Sequence, residues 1–339
     1  MNLQENISLE PLNTFHVAAK ARYYSLIKDA HMLQLLLHHP FIQNLPKLVL
    51  GGGSNILFVK DFDGWVIQMA LEGIKQVSAD STHVLLRVGA GVSWHSLVVY
   101  CVEKGYAGIE NLSLIPGTVG AAPIQNIGAY GVELSDVFES LEAIEIRTGA
   151  LKKFTKEDCA FGYRESIFKN SLQGQYIILY VTLRLAKQPI FHTSYGDLQE
   201  VLAAKGVKQL SIQAISDAVV HIRQQKLPDP TLIGNAGSFF KNPIVDQQVA
   251  NRLKNEYPSL PIYPQTNDQV KLPAAWLIEQ CGWKGYRRGA VGVYSHQALI
   301  LVNYGGASGQ EIYQLAQDIQ QSVAQKFGIQ LVPEVNVIK

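Results

Sequence analysis

Cysteine is scarce in this chain of 339 residues, which carries only Cys101, Cys159 and Cys281. Their odd number, wide spacing and lack of any C-x-x-C or Cys/His ligand pattern exclude a disulfide framework and a zinc centre; they read as buried thiols. His38-His39 has no second pair or H-x-x-x-H spacing beside it, so no metal site is expected. Charge of one sign is missing too: 29 Lys plus Arg nearly balance 28 Asp plus Glu, with no run of either. That excludes the electrostatic footprint of a nucleic-acid binder and leaves any anionic partner to be held locally. No apolar run is long enough to span a bilayer, and the opening stretch MNLQENISLEPLN has no apolar leader core. No membrane is implied, and the cytoplasm is the expected compartment. No apolar stripe stands out as an interface, which favours a monomer.

Apolar residues make up 47% of the chain, enough to fill more than one core. The first ~65 residues read as strand ARYYSLI, helix AHMLQLLLHH, strand KLVLGGGSNILFV and strand WVIQMA, a βαβ-like unit. From about residue 75 to 185, alternating segments such as HVLLRVGAG, SLEAIEIRTG and QYIILYVTLRLA predict a mostly β region crossed by a helix at SWHSLVVYCVEKG. AISDAVVHIRQQKLPDP predicts a helix capped by Ser216 and stopped by Pro228 and Pro230, and the double proline marks a domain boundary. Beyond it come helices near 245–256 and 274–284, a strand QALILVN, and a last helix opened by the capping box Ser308/Glu311 and closed at Gly328. Ile312, Leu315, Ile319 and Val323 form its apolar stripe. Such blocks, without repeats, indicate an α+β enzyme or binding protein of several domains.

Several stretches carry chemistry. In LGGGSN, residues 50–55, consecutive glycines after a strand make either a tight turn or an anion nest fit for a pyrophosphate, with Ser54 and Asn55 adding donors. The spacing is neither a G-x-G-x-x-G opening a long helix nor a Walker A motif. IPGTVGAAPIQNIGAYG, residues 115–131, is long and short of polar groups, which lets backbone lie flat against a large planar ligand. Arg164, in FGYRESIFK, sits among aromatic and β-branched neighbours and calls for a carboxylate or an anionic ligand. Tyr195 and Lys226 suit a phosphate-bearing ligand. Glu334, in LVPEVNVIK, either points into a site or keeps an edge strand soluble. Ser238, in GNAGSFFKNP, stands between small residues and two phenylalanines, with Lys241, Asn242 and Pro243 behind: a capped turn, or a guarded hydroxyl.

Taken in order, GGGSNILF, IPGTVGAAPIQNIGAYGVEL, FGYRESIFK, YGDL, KLPDP, GNAGSFFKNP, KLPAAWLIEQCG and PEV resemble the UDP-N-acetylenolpyruvoylglucosamine reductase family, in its tyrosine-bearing type I branch. The resemblance runs from about residue 10 to 338. It implies an FAD-binding domain of the vanillyl-alcohol-oxidase type in two parts, residues 1–68 and residues 69–228 with 329–339, and a smaller α+β substrate-binding domain at 229–328. The implied activity is NADPH-dependent reduction of UDP-N-acetylglucosamine enolpyruvate to UDP-N-acetylmuramate, a step in peptidoglycan precursor synthesis.

Carried onto this chain, the resemblance gives FAD to Gly51, Gly52, Gly53, Ser54, Asn55, Pro116, Gly117, Thr118, Ile127 and Gly128. The sugar nucleotide falls to Tyr195, Lys226 and Asn242, and the chemistry to Arg164, Ser238 and Glu334. Ser238 would deliver the proton, with Phe239 and Phe240 keeping water from it. Ala121-Ala122 replaces serines found in some relatives, and Asn336 replaces a frequent arginine. Two other readings share these motifs: an FAD oxidase of the same superfamily, and a sugar-nucleotide binder without redox function.

Overall fold

The computed structural model describes residues 3–339, and the chain divides into two units, each assembled from separated stretches. The first comprises the residues up to Ile7, Ala21–Gly53 and Phe62–Gln225; the second comprises Ser8–Lys20, Ser54–Asp61 and Lys226–Lys339.

In the first unit, strands Lys20–Ile27 and Lys47–Leu50 both run parallel to Phe62–Met69, Tyr24 and Leu48 each facing Val66. Parallel neighbours need a crossover, and helix Ala30–Leu37 supplies it, capped by Asp29, whose side chain accepts from the Met32 N–H at 2.9 Å. Leu33, Leu36 and Leu37 share a core with Trp65 and Ile67. A five-stranded antiparallel sheet follows, in the order Leu151–Thr155, Phe138–Glu145, Tyr176–Ala186, His83–Gly89, Ile74–Ala79. Val84, Leu86 and Val88 alternate inward, as a half-buried strand requires. They pack with Trp94, Leu97 and Cys101 of helix Trp94–Lys104, which Ser93 opens and left-handed Gly105 closes.

Helix Ile212–Lys226 begins four residues before Ser216. The cap is Ser211, whose hydroxyl accepts from the Ala214 N–H at 3.1 Å, and Ser216 lies buried inside the helix. The expected long strand through the glycines is also broken. Lys47–Leu50 stays in the first unit and Ile56–Phe58 belongs to the second, because Gly51 to Gly53 carry no side chains to pack between them.

The second unit is built on antiparallel strands ordered Gly234–Ser238, Ile300–Asn303, Val291–Val293, Arg287–Arg288. Helix Gly309–Phe327 has the capping box of Ser308 and Glu311 and ends at left-handed Gly328. Ile312, Leu315, Ile319 and Val323 are fully buried in the core. Strand Asn336–Ile338 closes the unit by pairing in parallel with Ile56–Phe58. Cys101 and Cys159 are buried as expected, whereas Cys281 is only half-buried.

Candidate functional site

The two glycine tracts meet inside the first unit. A β carbon on Gly51 would strike Oγ1 of Thr118, and one on Gly52 would lie 3.2 Å from Cα of Gly117. Gly51 thus meets a side chain and Gly52 a backbone, and the close approach of the two tracts leaves little room for a β carbon at either position. The second tract is pinned from behind. The Gly117 carbonyl accepts from the Trp94 N–H at 3.0 Å, and the Val119 N–H donates to Val92 O at 2.9 Å. Oγ1 of Thr118 is buried with no hydrogen-bond partner in the protein. A buried hydroxyl left unpaired is costly, on the order of 1–3 kcal/mol, and so marks a place for a ligand atom. A cradle kept clear of side chains, with one orphaned hydroxyl beside it, fits a dinucleotide such as FAD. Pro116 leads into it, while Ser54 and Asn55 continue from Gly53 into the second unit.

The rest of the second tract folds into a 3-10 turn, Val119–Gln125, with Ala122 buried in the core. Left-handed Asn126 then ties two loops together, its Nδ2 donating to Glu133 Oε2 at 2.8 Å and to Gly162 O at 3.1 Å. That knot brings Arg164 to Ile127-Gly128. Arg164 occupies a left-handed position (φ 56°) in a turn whose Gly162 and Glu165 exchange backbone hydrogen bonds of 3.0 and 3.1 Å. Its guanidinium donates to the Gly128 carbonyl, and a β carbon at Gly128 would sit 2.9 Å from Nη1. A non-glycine residue held at positive φ is strained, and such strain gathers where a side chain must be aimed. Tyr195, about half exposed, has its Cβ 3.5 Å from where a β carbon on Gly131 would lie.

Ser238 and Glu334 are brought together in the second unit. Ser238 is exposed at the end of its strand, after a bulge at left-handed Gly237. The next residue, Phe239, accepts the Glu334 N–H at 2.8 Å, Phe240 bridges to Pro333, and the Lys241 N–H donates to Val332 O at 2.9 Å. The phenylalanines do not wrap the serine. Both are fully buried in the core of this unit, with ring centroids 5.1 Å apart, so they anchor the turn and leave the hydroxyl facing solvent. Asn242 spends its side-chain oxygen on the Ala274 N–H, 2.9 Å away at the start of helix Ala274–Gln280. Lys226 is the exposed last residue of its helix.

One residue escaped sequence reasoning. Arg223, on the face of helix Ile212–Lys226 that carries Ser216 and Val219, has its Nε buried without a partner. Burial pushes its guanidinium below the usual range, and nearby Tyr130 partly offsets this. Burial, aided by Arg223, also lowers the pKa of His95, whose Nδ1 accepts from the Leu114 N–H at 3.0 Å. A half-buried cation thus lies near Tyr130 of the second tract and near His95, which holds Leu114 just before that tract. The i, i+3, i+7 spacing of Ser216, Val219 and Arg223 was the available signal. Among the described residues no group of three or more His, Cys, Asp or Glu is placed to hold a metal, and no helix is long and apolar enough to cross a membrane.

Comparison with known proteins adds to this geometry. An FAD binding domain family matches residues 24–155, and the C-terminal domain family of UDP-N-acetylenolpyruvoylglucosamine reductase matches residues 229–338. The chain is 67% identical over 339 residues to the UDP-N-acetylenolpyruvoylglucosamine reductase of Amoebophilus asiaticus, covering 100% of both chains. It is 48% identical over 334 residues to that of Pseudomonas putida, covering 98% of each. The crystal structure of the Thermus caldophilus enzyme shares its fold, with a TM-score of 0.68 at 23% identity, over 99% of this chain and 100% of that one. On full-length identity of this order, over a fold with both glycine tracts in contact, the chain belongs to the UDP-N-acetylenolpyruvoylglucosamine reductase family.

Proposed function

We propose that the chain is an FAD-dependent oxidoreductase that uses NADPH to reduce the enolpyruvyl group of UDP-N-acetylglucosamine enolpyruvate, giving UDP-N-acetylmuramate for peptidoglycan. The observation that carries the reading is the cradle of Gly51 and Gly52 against Gly117 and Thr118, with its orphaned hydroxyl. The matches to the reductase family and to an FAD binding domain support it. In this reading residues 1–68 and residues 69–228 with 329–339 form the FAD-binding parts, and residues 229–328 receive the substrate. Bound FAD supplies hydride transfer from NADPH to the terminal methylene carbon of the enol ether.

The protein's own residues deal with the charge that hydride addition leaves on the alpha carbon and its carboxylate. Arg164, a guanidinium aimed by its turn, holds the carboxylate oxygens. Glu334 orients that end of the substrate, and the Ser238 hydroxyl delivers the proton to the alpha carbon. A hydroxyl is a weak acid, but a carbanionic carbon is a strong enough base to take its proton. Gly51 to Asn55, Pro116, Gly117, Thr118, Ile127 and Gly128 hold FAD; Tyr195, Lys226 and the amide nitrogen of Asn242 hold the sugar nucleotide. The protein acts as a cytoplasmic monomer.

The test is an anaerobic visible spectrum of the purified protein, first with NADPH and then with UDP-N-acetylglucosamine enolpyruvate. Flavin bands that bleach and then return are expected. Bands that stay bleached until air is admitted favour an FAD oxidase with another substrate, and a protein colourless even after FAD is supplied refutes a redox role.

A further inference from the structure

Glu334 is gripped through its backbone from both directions. Its N–H donates to Phe239 O at 2.8 Å, and its carbonyl accepts from Nδ2 of Asn55 at 3.3 Å. The carbonyl of Asn55 in turn accepts two bonds from Asn336, one from its N–H at 3.1 Å and one from its side-chain Nδ2 at 3.0 Å. Glu334, Val335, Asn336 and Asn55 thus close a small ring of hydrogen bonds between residues nearly 280 positions apart in sequence.

The first Asn336 bond belongs with the parallel ladder in which Asn336 faces Ile56, and any residue but proline would make it. The second depends on the side chain, and it is exposed. A solvent-exposed bond of this kind adds little to stability. What it fixes is the backbone: with Val335 buried and Pro333 bridging to Phe240, the segment that carries Glu334 is held on both sides of that residue.

We infer that Asn336 and Asn55 form a clasp that positions Glu334 relative to Ser238, so that Asn336 is a positioning residue for the half-reaction in which the enolpyruvyl sugar is reduced. The inference rests on the reading of Glu334 given above. Catalytic geometry tolerates little drift, a displacement of ~1 Å costing on the order of 10²-fold in rate.

The experiment compares Asn336→Ala, Asn336→Asp and Glu334→Gln in the FAD-loaded protein. Asn336→Asp keeps the shape but turns an acceptor toward the Asn55 carbonyl. Stopped-flow absorbance follows the two half-reactions separately, and hydrogen exchange follows the Glu334 and Asn336 amides. For both Asn336 variants the expected result is a 10- to 100-fold slower flavin reoxidation by the enolpyruvyl sugar. Flavin reduction by NADPH should stay within about twofold, and amide exchange at 334–336 should be faster. A change in kcat with little change in KM separates this from lost substrate affinity. If Glu334→Gln slows reoxidation while both Asn336 variants match the parent, the clasp is refuted and the role of Glu334 stands. If Glu334→Gln leaves reoxidation unchanged, that role fails and the clasp fails with it. Equal slowing of both half-reactions by Asn336→Ala would make the residue merely structural.

Discussion

Ser113 and Ser216, 103 positions apart and both buried, share a side-chain hydrogen bond of 2.8 Å. Ser113 donates its own hydroxyl proton to the Glu110 carbonyl at 2.7 Å, so the Ser216 O–H must be the donor between the serines. This pair fastens helix Ile212–Lys226 to the start of the second glycine tract. Replacing either serine by alanine should cost about 1–2 kcal/mol, and the double variant less than the sum, leaving a coupling energy of about 1 kcal/mol. Urea unfolding of the four proteins gives that number directly; strict additivity would mean that the bond contributes nothing.

Gly51→Ala should yield a protein that purifies colourless, because the new methyl strikes Thr118 Oγ1. Adding Thr118→Ala removes the struck atom and should recover much of the thermal stability. It should not recover full affinity for FAD, since it deletes the hydroxyl proposed to meet the ligand. Flavin absorbance per protein and a melting curve for the single and double variants check both halves.

Ser238→Ala should leave flavin reduction by NADPH untouched and slow reoxidation by the enolpyruvyl sugar by about 10²–10⁴-fold, the range for loss of a proton donor. Ser238 is exposed, so its hydroxyl can be removed without opening a core cavity, and a melting curve matching the parent checks that the fold is intact.

His95 gives a pH signature. Burial, with Arg223 nearby, depresses its pKa below the ordinary 6.5, and its Nδ1 is committed as an acceptor. The folded protein therefore binds this proton less readily than the unfolded chain. The stabilisation is complete above about pH 6.5 and is lost as the pH falls through the lower folded value. His95→Gln should flatten the fall in melting temperature between about pH 7 and pH 5. An unchanged slope would show that other groups cause it.

Burial pushes the thiols of Cys101 and Cys159 up to about 12. A disulfide reagent at pH 8 should modify Cys281 alone in the native protein, and all three cysteines in denaturant. Rapid native labelling at Cys101 would mean that helix Trp94–Lys104 opens readily.

Local signals were the legible ones. Ser308 and Glu311, three residues apart, announce a helix start, and Gly328 its end, because both motifs satisfy backbone groups within a single turn. Long-range pairings were not legible. Ser216 reads as a helix cap until Ser113 is seen to face it, and nothing in the sequence around Asn242 says that its oxygen meets the start of a helix 32 residues on. Phe239 and Phe240 were rightly taken as apolar bulk, yet a pattern of residue types cannot say which side of a turn that bulk occupies. Composition left the first glycine tract as either a tight turn or an anion nest and offered the second as a bed for a planar ligand; only the family resemblance assigned FAD to both. That they meet each other is a fact of three dimensions only.

The pairing of Asn336–Ile338 with Ile56–Phe58 sets the order in which the molecule can mature. The first unit draws on nothing beyond Gln225, whereas the segment at 56–58 must wait for nearly the whole polypeptide before it finds its neighbour. Closing so long a loop is slow. During synthesis Ile56, Leu57 and Phe58, all buried in the finished fold, remain exposed and open to association with other nascent chains. Crowded expression should therefore produce inclusion bodies before any weakness of the mature protein shows.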